Sequence, residues 1–523
     1  GHGCRQRRIK AAETDRTGSI AAAIAKDKAL SKRLLRSAGI PVPPGRAVEN
    51  AEDAWQAACE IGPPVAVKPR DGNHGRGVAL NLKTREQVLA AYPLAAAEGE
   101  QGVLVERFAL GAEHRLLVVG DKVVAASRGE PEQVAGDDVH SVRQLVEELN
   151  QDPRRGEFFC DRLTKIELDP LALLILEQQH LTPDSVPTKG QTVLIHYNGD
   201  LTTDETDDVH PDVAARAVLA TKVVGLDVAG VDLVAADIGR PLEDQEGAIV
   251  EVNCGPGLAQ HLDPLVGKPR PVGDAIASLL FPDGENGRIP ILSVTGSSGR
   301  TAVAHLAGQV LLRSGRIVGL SSGEGIFVGG RRIESGDSAN WAAGRGLLTH
   351  PAVETLVFEI SDVSIFREGL AFDRCNVAVV THVAGDPVLG EPDWNDPDKA
   401  AQVQRCTVET LNSGGWAVLN AEDARVAGMA AYNKGSALYY AHDERQPLLV
   451  AHRAAGGATA FLRDGVIVFG EGSLETPLMA LDPVPALRWE VPACGPLEVV
   501  AAAAALWKLG LSFGQIRTGL EPP

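Results

Sequence analysis

A lysine at the end of an apolar run, followed at once by a glycine-rich loop, has the composition of a phosphate-binding element. Lys68 ends the run 64–68, and Gly72, Gly75 and Gly77 follow directly. A buried strand that delivers a cation beside backbone amides suits a polyphosphate, because glycine lets the backbone approach its ligand closely. The alternative is an ordinary turn, since many glycine-rich loops bind nothing.

A second cluster, far along the chain, favours the phosphate-binding interpretation. The run 249–253 has strand character and contains Glu251 and Asn253. Residues two apart in a strand share one face, and carboxylate and amide oxygens are ligands that Mg²⁺ accepts. A buried acid without a cation would be costly, so the two clusters together predict a nucleotide site with magnesium.

The elements that must position these residues indicate a mixed α/β structure. Residues 27–43 read as an amphipathic helix with Asp27 as its N-cap and a Gly/Pro stop. Strands are predicted at 65–68, 103–106, 116–119, 193–195, 231–235 and 248–252, and helices at 142–150 and 211–224. Antiparallel pairing is expected around residues 103–125.

A polar, Gly/Pro-rich segment at 281–290 reads as a linker. After it, a strand at 291–294, a loop at 295–301 and a helix at 302–312 open a new pattern. Strands predicted at 355–360, 377–381 and 417–419 alternate with helices, which is typical of a doubly wound parallel sheet. The prediction is therefore an α/β chain with one domain at 1–285 and a second at 286–523.

Composition narrows the functional classes. The 523 residues are 44% apolar and 23% charged, as in ordinary globular proteins, and the formal charge of −19 argues against general nucleic-acid binding. The seven cysteines are scattered without a C-x-x-C pair, which favours reduced thiols in the cytoplasm. No apolar run is long enough to predict a membrane span. Residues 1–8 resemble the interior of a chain, which suggests that a region precedes them.

Several motifs in order give residues 1–285 a specific resemblance. They are Lys68-Pro69-x-Asp71-Gly72-Asn73-His74-Gly75-Arg76-Gly77, Val134-x-Gly136-Asp137, Asp208-Val209-His210-Pro211 and Glu251-Val252-Asn253. In this order the segment resembles the ATP-grasp module of cyanophycin synthetase. Such enzymes activate a carboxylate with ATP and let an amine displace phosphate to form an amide. Cyanophycin is a polyaspartate whose side chains carry arginine.

The resemblance implies a role for each matching residue. Nucleotide binding is expected from Lys28, Lys68, Gly72, Asn73, Gly75, Arg76 and Gly77, with Glu106 at the adenine hinge and Glu113 at the ribose. Magnesium is expected at Asp237, Glu251 and Asn253. The catalytic set is His74, Arg115 and Lys68, of which His74 and Arg115 would face the acyl phosphate or the substrate carboxylate. Plainer alternatives are a solvated helix lysine for Lys28, a surface strand end for Glu106 and a hydrogen bond within its own loop for His74.

Two departures from the family pattern concern the substrate. The segment 194–204 lacks the arginine and the Ser-Thr-Gly-Gly turn expected there, and contains His196 instead. Ala259 stands where an arginine is expected after the Asn-x-x-Pro-Gly motif. The identity of the substrate therefore stays open.

Residues 286–523 resemble the Mur-ligase-like module that follows ATP-grasp in cyanophycin synthetase, but with a degenerate P-loop. The lysine that should reach the β/γ phosphates is Arg300, in the loop Thr295–Thr301. Ser361-Asp362-Val363-Ser364 replaces a glycine-rich stretch, Asp386-Pro387 replaces a metal-binding Asp-His pair, and Pro492-Ala493-Cys494-Gly495-Pro496 replaces an Asn-containing signature. The chain ends where a C-terminal Mur domain is expected. The module is predicted to be structural or oligomerising; a divergent but active module is the alternative.

Together these features predict an ATP- and Mg²⁺-dependent acid–amino-acid ligase. It would extend the C-terminus of a cyanophycin-like polymer through an acyl phosphate, by adding β-Asp-Arg dipeptides, as a homo-oligomer in the cytoplasm with no nucleic-acid or membrane partner. The alternatives are a ligase of the same lineage with another amino-acid or dipeptide substrate, and a non-catalytic paralogue that binds polymer or a full-length synthetase.

Overall fold

The computed structural model describes residues 1–71, 76–156, 163–197, 199–384, 396–481 and 494–521, and it divides into two units. The N-terminal unit is Arg7–Gly284; the C-terminal unit combines Gly1–Gln6 with Glu285–Pro523. The break falls inside the predicted linker. Residues 1–6, which the sequence assigned to the first domain, belong to the C-terminal unit, where the amide of Cys4 donates to the carbonyl of Val353 at 2.8 Å.

The N-terminal unit contains short strands and helices in alternation. Its strands are β1 (Ile9–Lys10), β2 (Glu13–Thr14), β3 (Gly45–Val48), β4 (Val65–Pro69), β5 (Ala79–Leu82), β6 (Val103–Arg107), β7 (Ala112–Val119), β8 (Lys122–Gly129), β9 (Glu132–Ala135), β10 (Arg155–Gly156), β11 (Leu163–Thr164), β12 (Thr192–His196), β13 (Leu201–Asp204), β14 (Val228–Ala235) and β15 (Ala248–Cys254). Its helices are α1 (Ser19–Lys26), α2 (Lys28–Ser37), α3 (Ala51–Ile61), α4 (Arg85–Glu98), α5 (Val142–Leu149), α6 (Pro170–Gln178), α7 (Pro211–Val224), α8 (Ala259–Leu262) and α9 (Val272–Leu280).

Two main sheets build this unit. A four-stranded sheet has the order β3-β6-β4-β5, and an antiparallel five-stranded sheet has the order β13-β8-β7-β14-β15. The pairs β4/β6 and β7/β8 are antiparallel, as the sequence predicted for this region. Apolar residues of β7, β14 and α7 fill the core on one face of the larger sheet, and its other face carries polar side chains toward the candidate site.

The start of helix α2 is stabilised by Asp27, which caps the helix and also forms an ion pair with Arg70. The carboxylate of Asp27 accepts from the amides of Ala29 and Leu30, and the guanidinium of Arg70 holds the same carboxylate at 2.6 and 2.8 Å. The buried face of α2 includes Lys28 and Lys32. Residues four apart lie on one face of a helix, so both lysines project in the same direction.

The C-terminal unit is a doubly wound α/β structure. Its strands are β16 (Ile291–Thr295), β17 (Val318–Ser322), β18 (Gly325–Val328), β19 (Arg331–Ser335), β20 (Thr355–Glu359), β21 (Cys375–Val380), β22 (Leu411–Asn420), β23 (Ser436–Ala441), β24 (Ala458–Arg463), β25 (Val466–Glu471) and β26 (Leu474–Ala480). Its helices are α10 (Arg300–Arg313), α11 (Trp341–Thr349), α12 (Asp362–Glu368), α13 (Pro397–Glu409), α14 (Ala424–Gly428), α15 (Pro447–Ala454), α16 (Pro496–Lys508) and α17 (Phe513–Leu520).

Its described strands form one sheet of order β19-β18-β17-β20-β16-β21-β22-β23-β24-β25-β26, parallel from β17 to β24. Helices α10, α16 and α17 cover one face through a core that includes Val310 and Leu506. Both edges are interrupted, β19 by a bulge at Ile333 and β26 by Pro477, and such features oppose edge-to-edge association. None of the described helices in either unit has the length and apolarity needed to cross a bilayer.

Candidate active site

Three buried lysines and a buried glutamate converge in the N-terminal unit. Lys68 Nζ lies 2.6 Å from Glu106 Oε2, and Lys32 Nζ donates to both carboxylate oxygens of Glu106. Lys28, one helical turn before Lys32, lies 3.6 Å from Glu251 Oε1. The three lysines are only 5–8% exposed. Ammonium groups that are buried in this way need anions, and here two of them share one carboxylate.

The pKa values of the residues in this cluster depend on one another. Burial alone would raise the pKa of Glu106, but the ammonium groups of Lys32 and Lys68 lower it below its ordinary value. Burial lowers the pKa of Lys32 below its ordinary value, an effect that Glu106 opposes and Lys68 reinforces. The sequence placed Glu106 at an adenine hinge; in the structure its carboxylate faces the two lysines. The cluster therefore holds an ionised acid and an excess of positive charge.

A cross-strand row of polar side chains spans the five-stranded sheet. Its members, in order from β13 to β15, are Asp204, Ser127, Arg115, Asp232 and Glu251. Side chains that lie opposite each other in an antiparallel ladder share one face of the sheet. Strand pairing therefore brings residues that are far apart in sequence onto a single polar surface.

Arg115 and Asp232 form the centre of this row. Arg115 Nε and Nη2 donate to the two oxygens of Asp232 at 2.6 and 2.7 Å, and Asn253 Nδ2 donates to Asp232 Oδ2 at 2.8 Å. Although burial alone would lower the pKa of Arg115, the carboxylate of Asp232 raises it above its usual value. Asp232, Glu251 and Asn253 thus offer oxygen atoms on neighbouring positions of β14 and β15.

Glu113 lies on the same strand as Arg115, and several charged groups of the site change its pKa. Burial raises the pKa of Glu113 to about 7, the carboxylates of Asp232 and Glu251 add to this rise, and Arg115 and Lys68 oppose it. Lys68 at the end of β4 and Glu251 of β15 therefore both lie near enough to Glu113 to change its pKa.

Asp237 does not join this arrangement. It is exposed and lies two residues beyond the end of β14, where its carboxylate accepts from the amide of Gly239 at 2.8 Å. At about 3.3 Å per residue of extended chain, its backbone can be at most about 17 Å from that of Asp232. The acid opposite Glu251 is Asp232, and Asp237 stabilises the turn that leads into the connection between β14 and β15.

Part of the glycine-rich loop lies outside the described residues, namely Gly72, Asn73, His74 and Gly75. Of the described loop residues, Arg76 Nε lies 3.6 Å from Glu98 Oε2. Gly77 has a φ of +69°, and a Cβ atom there would approach Ala95 and Glu98 of α4 at 3.1–3.2 Å. Glycine is therefore required where the loop turns back toward α4.

Sequence reasoning missed two residues of this site. The sequence could have identified Lys32, because it follows Lys28 by one turn on the predicted amphipathic helix. The sequence could also have identified Asp232, because it lies within a predicted strand between two apolar residues, Val231 and Leu233. An acid at such a position needs a partner when the strand is buried.

The described residues fit a nucleotide with magnesium. Lys28 and Lys68 offer buried cations for phosphate oxygens, and Asp232, Glu251 and Asn253 offer the carboxylate and amide oxygens that Mg²⁺ prefers. The excess positive charge beside Glu106 is of the sign that phosphate groups neutralise.

His196, which the sequence analysis connected with the substrate, lies between two acids. Its Nδ1 donates to Glu132 Oε2 at 2.6 Å and its Nε2 to Asp169 Oδ1 at 3.1 Å. Burial favours the neutral ring, but hydrogen bonds to Asp169 and Glu132 raise the pKa of His196 to about 9. The imidazolium therefore joins β9, β12 and the start of α6, which is a structural role.

This ion pair predicts a pH-dependent stability. The pKa of His196 is higher in the folded state than in the unfolded state, so its contribution should be complete below about pH 6.5 and disappear as the pH rises through about 9. We expect His196→Asn to lower the free energy of unfolding by at most about 3 kcal/mol near pH 6, and by little near pH 10. Thermal unfolding at several pH values measures this. The exposed His180→Asn is the control, and an equal loss at both pH values would contradict the assignment.

In the C-terminal unit, the side chain of Arg300 forms hydrogen bonds with its own loop and with Glu359 at the end of β20. Arg300 Nε donates to Glu359 Oε1 at 3.0 Å, and Nη1 donates to the carbonyl of Gly296 at 2.8 Å. Glu359 is fully buried and also accepts from Thr301 Oγ1 at 2.8 Å. A Cβ atom on Gly299 would lie 2.8 Å from a carboxylate oxygen of Glu498, so an acid lies beside the loop. These contacts oppose the binding of a phosphate group.

The other departures in this unit fall at helix starts or outside the described residues. Ser361 caps helix α12, because its side chain accepts from the amide of Ser364 at 3.2 Å. Gly495 precedes α16, which begins at Pro496. Asp386, Pro387, Pro492 and Ala493 lie outside the described residues.

Comparison with known proteins agrees with the resemblance seen in the sequence. Residues 27–125 match the family described as carbamoyl-phosphate synthase L chain, ATP binding domain. The chain is 37% identical over 527 residues to a cyanophycin synthetase of Nostoc sp., covering 100% of this chain and 58% of that protein. It is 36% identical over 528 residues to a cyanophycin synthetase of Synechocystis sp., covering 100% of this chain and 60% of that protein.

Among solved structures, a bifunctional glutathione synthetase from Pasteurella multocida is 33% identical, with a TM-score of 0.34, and the match covers 52% of this chain and 38% of that chain. The chain spans about three-fifths of the length of the curated relatives it matches. The α/β fold class and the resemblance seen in the sequence are confirmed: along its whole length, this chain is homologous to the cyanophycin synthetases.

Proposed function

We propose that this chain is an ATP-dependent carboxylate–amine ligase that extends the C-terminus of a cyanophycin-like polymer by adding β-Asp-Arg dipeptides. The homology to cyanophycin synthetases supports an ATP-dependent ligase. In the proposed reaction, an oxygen of the polymer's terminal carboxylate bonds to the γ-phosphorus of ATP and ADP leaves. The α-amine of the dipeptide then attacks the acyl carbon, and phosphate leaves.

The observation that carries the proposal is the convergence of cations and oxygen donors in one site. Lys28 contacts Glu251 at 3.6 Å, and Lys32 on the same helix face shares Glu106 with Lys68. Such a site provides compact cations for phosphate oxygens within reach of carboxylates that can bind a divalent cation.

Within the proposal, each described residue has a physical task. Lys28 and Lys68 bind phosphate oxygens, and Asp232, Glu251 and Asn253 hold magnesium, which would offset negative charge on those oxygens. Arg115, fixed by Asp232 on one side, presents remaining N–H donors to the substrate carboxylate. Among the sequence-predicted residues outside the described range, His74 is proposed to face the same carboxylate.

ADP release with defined substrates tests the proposal. We expect release that requires polymer primer and the β-Asp-Arg dipeptide together, and little release with aspartate plus arginine. Release with free amino acids or another dipeptide would favour a ligase of the same lineage with a different substrate. No release under any condition, with polymer binding intact, would favour a non-catalytic paralogue.

We further propose that the C-terminal unit does not turn over ATP and acts as a structural or oligomerising module. The contacts of Arg300 within its loop and the carboxylate of Glu498 beside Gly299 support this. Its interrupted sheet edges indicate that any homo-oligomer forms through other surfaces. The free cysteines of the described residues are consistent with a cytoplasmic protein.

Replacing Arg300 tests this part of the proposal. We expect Arg300→Met to leave the steady-state rate of ADP release within about twofold of wild type, because no proposed step uses this loop. Glu359 retains its bond from Thr301, so the unit should still fold, which circular dichroism can verify. If Arg300→Met proves unstable, Arg300→Gln serves as the second variant. A large loss of rate in a folded variant would contradict an inactive C-terminal unit.

A further inference from the structure

Lys32 makes two close contacts with Glu106 but has no task in the proposed reaction. It lies on α2 and donates to both carboxylate oxygens of Glu106, whereas Lys68 lies on β4, with its Nζ 2.6 Å from Oε2. Lys32 is 5% exposed and Glu106 is 2% exposed. In the β4/β6 ladder Glu106 pairs with Ala66, so Lys68 is its diagonal neighbour on the same face.

The proposed function creates a charge problem at Glu106. When the ammonium group of Lys68 also binds phosphate oxygens, its attraction to Glu106 is shared with them, and the buried carboxylate depends more on its other cation. An ionised carboxylate without a partner in such surroundings is strongly destabilising. Two other cations of the described site are already engaged, Lys28 with Glu251 and Arg115 with Asp232. Lys32 is the cation in place to stay with Glu106.

We propose that Lys32 is a positioning residue that keeps Glu106 ionised and fixed, so that Lys68 is free to exchange from Glu106 to the phosphates of the nucleotide. This inference rests on the proposed function. The geometry separates the two lysines by role. Lys32 hydrogen-bonds both oxygens of Glu106 and lies on a helix capped by Asp27, whereas Lys68 lies at the end of β4, shortly before the glycine-rich loop.

The test measures binding of the magnesium complex of AMP-PNP by calorimetry, together with thermal unfolding of the ligand-free protein. We expect Lys32→Met to weaken binding about 10- to 100-fold, because Lys68 must then remain with Glu106. Lys32→Arg keeps the charge on a larger side chain and should bind more tightly than Lys32→Met. Lys26→Met, an exposed lysine at the end of α1, is the matched control and should bind like wild type.

A double variant distinguishes positioning of Glu106 from direct phosphate binding by Lys32. An amide at position 106 needs no counterion, so Lys32→Met/Glu106→Gln should bind AMP-PNP within about threefold of Glu106→Gln alone. If the double variant binds as weakly as Lys32→Met, Lys32 acts on the ligand itself and the inference is wrong. Unchanged binding by Lys32→Met also overturns it.

Thermal unfolding helps to distinguish a failure of this inference from a failure of the proposed function. In the ligand-free protein, Glu106→Gln should recover most of the unfolding temperature lost in Lys32→Met, because it removes the buried charge that lacks its two-oxygen partner. If wild-type protein does not bind AMP-PNP, the proposed function fails, whatever the variants show. If wild type binds and this coupling is absent, only the role of Lys32 fails.

Discussion

Lys68→Met is expected to reduce ADP release about 10²- to 10³-fold, with a much smaller effect on folding. A positioned cation acts on charge that develops on the phosphate oxygens, and removing one such group costs about 10²–10³ in rate even where other donors remain. Methionine keeps most of the volume but removes the charge. Glu106 retains Lys32, so the variant should stay folded. Steady-state ADP release and thermal unfolding measure the two effects.

Lys26→Met provides the comparison for this variant, because Lys26 is exposed and precedes the capped start of α2. It should release ADP at the wild-type rate. Retention of more than about a tenth of wild-type activity by a folded Lys68→Met protein would refute a phosphate-binding role for Lys68.

Asp232→Asn is expected to reduce activity by a similarly large factor, about 10³, and to raise the magnesium concentration needed for half-maximal rate. The change removes one charge from the row and weakens the two-bond contact that fixes Arg115. Magnesium titration of ADP release measures both effects. Asp237→Asn is the paired variant, and we expect it to retain wild-type magnesium dependence because Asp237 lies in a turn.

This pair of variants decides between two assignments of the third oxygen donor. If Asp237→Asn abolishes the magnesium response while Asp232→Asn keeps it, the assignment made from the sequence is correct and the one made from strand pairing is wrong. Thermal unfolding of both proteins should accompany the titration, since Arg115 is left with a weaker partner in Asp232→Asn.

Strand and helix positions near the site could be predicted from the sequence because burial leaves a local pattern. The apolar run that ends at Lys68 became β4, and the run around Glu251 became β15. The start of α2 could be predicted because Asp27 is an N-cap residue with an amphipathic pattern after it. The parallel sheet of the C-terminal unit followed from alternating strands and helices.

Partners across the sheet could not be predicted in this way. The acid that faces Glu251 depends on the register of β14 against β15 and on the bulge beside Asp232. Asp232 lies inside the predicted strand and Asp237 lies beyond its end, but this difference alone does not show which acid pairs with Glu251. The contact between Lys32 and Glu106 joins residues 74 positions apart, and only the tertiary fold brings them together.

The row on the five-stranded sheet also constrains how such a protein can change in length during evolution. Deleting one residue from β14 would rotate every following side chain to the opposite face and bring Val231 or Leu233 opposite Arg115. Residues added between Ala235 and Ala248 would leave the ladder undisturbed. Insertions and deletions among natural variants should therefore accumulate in the hairpin connection and be rare within the strands, even at positions where any apolar residue would suffice.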